Sequence, residues 1–278
     1  LSAAVSEAPQ PGRTFLWKIQ SGTHVLFLAG SVHALSADVY PLAPGFDRAF
    51  TASRSLVEEI DMAEADPTAL GPSLLAKGMY LDGRTLSQAV SPQTLERVRT
   101  KLQGTPLALD LIQPMKPWMV MLMLEAVGLQ SAGLEPALGL DKHFYDRARS
   151  GGKTVVGLES AASQIDRFDQ LPEATQEQML RSAIDEMDTE RDNLRDLVAA
   201  WKSGDAAAME RLLLASFASN QAAYTSLIVE RNRNWMPRLD ACLMRDEGCF
   251  VVVGAAHVVG PQGLLTMLSQ RGYTIEQQ

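Results

Sequence analysis

The sequence predicts an α/β fold: a central mixed β-sheet flanked by helices, with a helical insertion in the middle of the chain. Three observations carry this expectation. Two short, almost wholly apolar runs, Val25 to Ala29 and Cys249 to Val253, stand near opposite ends of the chain and read as buried strands. Strand and helix patterns alternate around each of them. Between about residues 160 and 245 the pattern is helical throughout.

The first element is a hairpin. Phe15 to Gln20 alternates, Ser21-Gly22-Thr23-His24 turns, and Val25 to Ala29 returns, ending at Gly30-Ser31-Val32-His33. Pro44 to Thr51 reads as a short helix and Arg54 to Asp61 as a strand with an acidic end. Asp66 to Lys77 and Ser91 to Gln103 are helical, the second opened by a serine cap followed by proline. Pro114 to Pro117 breaks the chain before Trp118 to Val127, whose nearly continuous apolarity predicts a buried helix. Gly139-Leu140-Asp141 opens a helix that runs to Arg149, and Lys153 to Leu158 is a strand ending at Glu159. The helical section that follows divides into three or four helices, with breaks expected near Pro172, Asp188 and Ser203-Gly204-Asp205. After the second apolar strand comes Gly254-Ala255-Ala256-His257, then a helix from Gly263 to Arg271, a Gly272 cap and a final strand from Tyr273 to Glu276. No low-complexity linker interrupts this order. A single unit over residues 13–278 is expected, with the helical cap at about 160–245 and residues 1–12 as a tail.

The formal net charge of −8 and the lack of any lysine- or arginine-rich run argue against a nucleic-acid partner. A hydrophobic fraction of 46% is ample for a large core. No stretch of about 18 apolar residues could span a membrane. The polar start, Leu1 without a methionine and Ser6 to Gly12, reads as a trimmed chain or one whose leader has been removed. The two cysteines, Cys242 and Cys249, flank a short polar loop. They are either a local disulfide, suited to an oxidising compartment, or two separate buried thiols. Alone they would fill only half of a four-coordinate metal site. A bacterial, periplasmic or secreted location is the expectation.

Two of the four histidines share one local frame, an apolar strand followed by Gly-x-x-His: VLFLAGSVH, ending at His33, and FVVVGAAH, ending at His257. Glycine stands three residues before a given histidine at roughly its overall frequency, about 7%. A repeat of this frame therefore reads as an internal duplication of a strand-turn unit. Ligands bind beyond the carboxyl ends of strands in open α/β sheets. Gly30 and Gly254 would let the backbone turn or be approached there. Two imidazoles rarely suffice for a divalent cation, so carboxylates are needed as well. Glu58, Glu59 and Asp61 end one strand and Glu159 ends another. Strand alternation would put Glu59 and Asp61 on one face and Glu58 on the other. The expected set is His33, His257, Glu59 and Glu159 around a zinc, manganese or cobalt ion, with an acid such as Glu59 activating water. Arg231 and Asn232 could reach inward from the helix before the last apolar strand, as anion or oxyanion stabilisers. His24, in the hairpin turn, and His143, beside Lys142 and Arg147, read as surface residues.

These segments resemble the TraB/GumN family, which includes the Tiki proteases and is related to ChaN-like proteins. The matching stretches are GSVH at Gly30 to His33 followed by Tyr40-Pro41-Leu42, VEEID at Val57 to Asp61, GLD at Gly139 to Asp141 and GLESAASQ at Gly157 to Gln164. They continue with AAWKSGD at Ala199 to Asp205, RNRNW at Arg231 to Trp235 and the closing segment from Gly254 to Glu276. The resemblance implies a metal-dependent protease site built from the paired GxxH motifs and a strand-borne glutamate, carried here by His33, His257 and Glu59. It implies a polar role for Arg231, Asn232 and Glu159. The expected function is a metal-dependent hydrolase acting on a peptide or protein. The rival is a non-catalytic protein of the same fold that holds a peptide, haem or a metal. Nothing in the sequence fixes the oligomeric state.

Overall fold

The computed structural model describes residues 12–64, 67–103, 108–244 and 248–278. The tail expected over residues 1–12 lies outside them, Gly12 apart.

Strand β1 (Leu16–Ser21) and strand β2 (His24–Ser31) form the expected hairpin, paired from Leu16 with Ala29 to Ser21 with His24. Helix α1 (Pro44–Ala52) leads to β3 (Ser55–Glu58). Helices α2 (Pro67–Gly78), α3 (Pro92–Leu102), α4 (Pro117–Ser131) and α5 (Leu140–Ser150) precede β4 (Thr154–Gly157). Then come α6 (Ala161–Asp169), α7 (Glu173–Lys202) and α8 (Ala206–Ala215). A π-helical turn (Thr225–Val229) runs into α9 (Glu230–Cys242). The chain ends with β5 (Cys249–Gly254), a helical turn (Ala255–Val258), α10 (Leu264–Gln270) and β6 (Thr274–Gln277).

The six strands form one mixed sheet in the order β4-β3-β5-β2-β1-β6. The pairs β4/β3, β3/β5 and β5/β2 are parallel, and β2/β1 and β1/β6 are antiparallel. Strand β5 is buried at every position, as its unbroken apolar run requires of a central strand. Four neighbouring parallel strands put their carboxyl ends on one edge. The register makes this strict: Ser31 lies opposite Gly254 and Glu58 lies opposite both Val252 and Gly157. The two GxxH turns therefore leave the sheet side by side.

The strand expected over Arg54 to Asp61 is shorter than its pattern. It stops at Glu58, where β4 also stops, so Glu59 and Asp61 lie beyond the ladder and their expected shared face does not exist. The break expected near Asp188 is also absent: α7 runs unbroken through 30 residues, with no glycine or proline between Glu173 and Lys202. At about 45 Å this helix is long enough to serve two apolar clusters. Ala200 and Trp201 join the sheet's core with Phe144, Trp235 and Phe250, whereas Leu180 and Ile184 join a second cluster with Leu86, Val98 and Leu124. The helical layer beside the sheet thus draws on residues before 160 as well as after. Cys242 and Cys249 are joined, Cα to Cα 5.9 Å, at the start of β5 and so at the opposite edge from the GxxH turns. Part of their loop, 245–247, lies outside the described residues. His143 is half-buried rather than solvated, its ring packed between Tyr40 and Phe144.

Candidate functional site at the carboxyl edge of the sheet

The sheet edge brings His33, Glu59, Glu159, Arg231, Asn232 and His257 together. Each arrives on a different element. His33 and His257 follow β2 and β5, Glu59 follows β3, and Glu159 follows β4. Arg231 and Asn232 lie in the first turn of α9, immediately after the π-helical turn, a distortion often found at functional sites.

His257 is 3% exposed and fully engaged. Its Nδ1–H donates to Asn232 Oδ1 at 2.7 Å, which fixes the tautomer and leaves Nε2 as an acceptor for Arg231 Nη1 at 2.9 Å. Asn232, wholly buried, donates its Nδ2–H groups to the carbonyls of His257 and Gln262 at 3.1 and 2.9 Å. The Trp235 ring packs 4.4 Å from the imidazole, centroid to centroid. Burial above all, with Arg231 and His33 adding, pushes the His257 pKa down to about 3, against the pull of Glu59. The ring is neutral at physiological pH.

Arg231 carries the positive charge of the cluster. Nε donates to Glu159 at 2.7 Å, and Nη2 reaches Glu59 at 2.5 Å and Glu159 at 2.6 Å. Nη1 serves the Leu227 carbonyl at 3.1 Å as well as His257. Four of the five guanidinium N–H groups donate hydrogen bonds, and Nη2 also lies in ion-pair contact with Glu159. The charge of Arg231 is already met by two carboxylates, which disfavours a role as an oxyanion stabiliser. Burial alone would raise the Glu59 carboxyl, but Arg231, both histidines and the Gly254 N–H, 2.7 Å from Oε1, outweigh it and hold the group well below the carboxylate range. Gln164 Nε2 donates to the other oxygen at 3.0 Å. A carboxylate held ionised this firmly is a poor general base.

His33 sits differently. Its side chain is 65% exposed and lines an open pocket of about 320 Å³ with Glu58, Glu59, Asp141, Lys142 and Gln164 among its walls. Nδ1 donates to Asp141 Oδ2 at 2.9 Å, and Ser31 Oγ donates to the same oxygen at 2.5 Å. Asp141 raises the His33 pKa, with Glu59 adding and burial opposing. Asp141 reaches it because the backbone N–H of Leu140 is bonded to the Val32 carbonyl at 3.2 Å, docking the start of α5 on the first GxxH turn. His33 Nε2 then faces Glu59 across Gly254. A Cβ on Gly254 would lie 3.0 Å from that nitrogen and 3.1 Å from Glu59 Oε1. Gly30 has another reason to be small: a Cβ there would lie 2.2 Å from the Phe15 ring.

The residues expected as metal ligands do not fit a metal as they stand. Among the described residues no three His, Cys, Asp or Glu side chains are grouped to hold one. His257 Nε2 lies 3.8 Å from Glu59 Oε1, but its lone pair is already taken by Arg231.

Sequence reasoning missed two acids. Asp141 had a signal, an acid in the first turn of a helix that follows a glycine, but nothing local ties it to His33. Glu58 was read as facing away from the site. It is 2% exposed, and neither of its oxygens has a hydrogen-bond partner among the described residues. Burial first, then Asp141, Asp61 and Glu59, push its pKa up to about 9, so it carries a proton at neutral pH.

Two proteins described as "Uncharacterized protein YbaP" are each 26% identical to the chain. That of Escherichia coli (strain K12) matches over 248 residues, 89% of either chain, and that of Shigella flexneri over 242, covering 87% of this chain and 86% of its own. No solved structure matches. The model of the TraB/PrgY/gumN family matches residues 15–277, from β1 to β6 and across every residue of the site, and the chain belongs to that family.

Proposed function

We propose that the chain is a hydrolase that cleaves a peptide bond, with His33 as the residue that moves the proton. One observation carries this reading. A single imidazole of the cluster is open to a pocket, is backed by the Asp141 carboxylate, and has its other nitrogen on the far side of Gly254 from a second carboxylate, Glu59, that is held ionised. That is how a proton-transfer histidine is oriented. The neutral fraction of His33, a minority at neutral pH because Asp141 and Glu59 raise its pKa to about 9, takes a proton at Nε2 from an attacking water as the C–O bond forms. Asp141 and Glu59 steady the imidazolium. The proton then passes to the leaving amine as the C–N bond breaks, with one water consumed. No step runs through a metal ion. Arg231, Asn232 and His257 hold Glu59 in position and keep it charged. The peptide substrate is taken from the family resemblance. A periplasmic or secreted location is proposed with it, supported by the Cys242–Cys249 bond.

The test is turnover of a peptide library by the purified chain, read by mass spectrometry. Cleavage that falls by about 10²–10⁴-fold in His33→Ala, with folding intact, is the expected result. Binding of peptides without any product would favour the non-catalytic rival. Turnover unchanged in His33→Ala would refute the role of His33.

A further inference from the structure

We propose that Arg231 is the resident cation of this site and keeps divalent metal ions off His257. This does not rest on the hydrolase reading, because metal binding is read without turnover.

His257 is prepared the way a metal ligand usually is. An amide oxygen fixes one ring nitrogen, so the other presents its lone pair in a set direction. In this chain that lone pair meets Arg231 Nη1 at 2.9 Å. A metal on the same lone pair would sit about 2.0–2.1 Å from Nε2, well inside the contact distance of the guanidinium nitrogen. The two cannot share the position. The carboxylates that would complete a metal set, Glu59 and Glu159, are bonded to the same guanidinium at 2.5–2.7 Å. Its planar fork donates four hydrogen bonds and makes a further ion-pair contact with Glu159. Displacing it would leave a buried cation, 9% exposed, without its partners. A metal would therefore have to displace a satisfied ion pair as well as bind.

Removing the guanidinium frees the imidazole and both carboxylates at once. Arg231→Gln should convert the cluster into a metal site, whereas Arg231→Lys keeps a cation and should not. The experiment titrates untagged protein with zinc or cobalt(II). It is followed by calorimetry and, for cobalt, by visible absorption, with bound metal counted after dialysis. The wild type and Arg231→Lys are expected to retain no stoichiometric metal. Arg231→Gln is expected to hold one equivalent at least 100-fold more tightly, and to lose it in the Arg231→Gln/His257→Ala double variant. One equivalent bound by the wild type and lost in His257→Ala would overturn the proposal. So would an Arg231→Gln protein that keeps the wild-type circular dichroism and binds no metal. The wild-type arm decides even where Arg231→Gln does not fold.

Discussion

The two GxxH turns are the same device placed in two environments. Both follow buried parallel strands that lie side by side, and both deliver a histidine to the same edge. At the first turn the ring is 65% exposed and an aspartate pulls its pKa up. At the second it is 3% exposed, an arginine faces it, and its pKa falls to about 3. Sequence identity of the motif therefore does not mean identity of role. What the helix docked on each turn brings decides it: α5 brings a carboxylate to His33, and α9 brings a guanidinium and an amide to His257. One histidine is free to exchange protons with a pocket, and the other is a buried acceptor.

Substitution should separate the two most clearly in stability. His257→Ala leaves a cavity, strands the Asn232 oxygen and removes an acceptor from Arg231, at a cost of roughly 3–4 kcal/mol in chemical denaturation. His33→Ala should cost less than about 1 kcal/mol, because the exposed pair is screened by solvent. Equal losses at the two positions would erase the distinction.

The two glycines should separate next. Gly30→Ala forces a methyl into the Phe15 ring and should lower stability by about 2–3 kcal/mol. Gly254→Ala meets movable side chains, His33 and Glu59, at 3.0 and 3.1 Å. It should cost about 1 kcal/mol while displacing the groups that do the chemistry. Thermal melts of both variants beside an activity assay check this. A Gly254→Ala protein with full activity would mean that Nε2 of His33 does not work across that gap.

Glu58 gives a smaller, pH-dependent effect. Its folded pKa is about 9, above the ordinary carboxylate value, so the folded state binds a proton that the unfolded chain has released. Stability is then lost as pH rises from the unfolded pKa toward 9. Glu58→Gln removes the titration without removing a hydrogen bond. Its advantage over the wild type should grow steadily between pH 5 and pH 8. A difference that stays flat with pH would show that a counter-charge already satisfies the carboxyl.

Much of this was legible in the sequence, and the limits have physical causes. The hairpin, the capped helix at Ser91 and the repeated GxxH frame are local patterns and are present as read, and every expected strand is present, though the one from Arg54 ends three residues early. The convergence of His33, Glu59, Glu159, Arg231 and His257 follows from parallel strands sharing an edge, which strand-helix alternation predicts. What failed was side-chain geometry beyond a strand's last rung. Glu58 and Glu59 were assigned faces by alternation, but the ladder ends between them. Arg231 was read as spare charge because a sequence cannot tell how many of five donors are spoken for. Asp141 was missed because its contact with His33 spans 108 positions of chain and depends on where α5 docks.

One GxxH histidine should titrate in the accessible pH range and the other should not. Proton-nitrogen correlation spectra of the imidazoles from pH 5 to about pH 11, beyond the raised His33 pKa of about 9, are assigned with His33→Ala and His257→Ala. The His33 ring should titrate with a midpoint above the ordinary value of about 6.5, and Asp141→Asn should move that midpoint toward acid. The His257 ring should remain a single neutral tautomer, protonated at Nδ1, over the whole range. A His257 resonance that titrates within that window, or a His33 midpoint unmoved by Asp141→Asn, would mean that the two turns do not divide these roles.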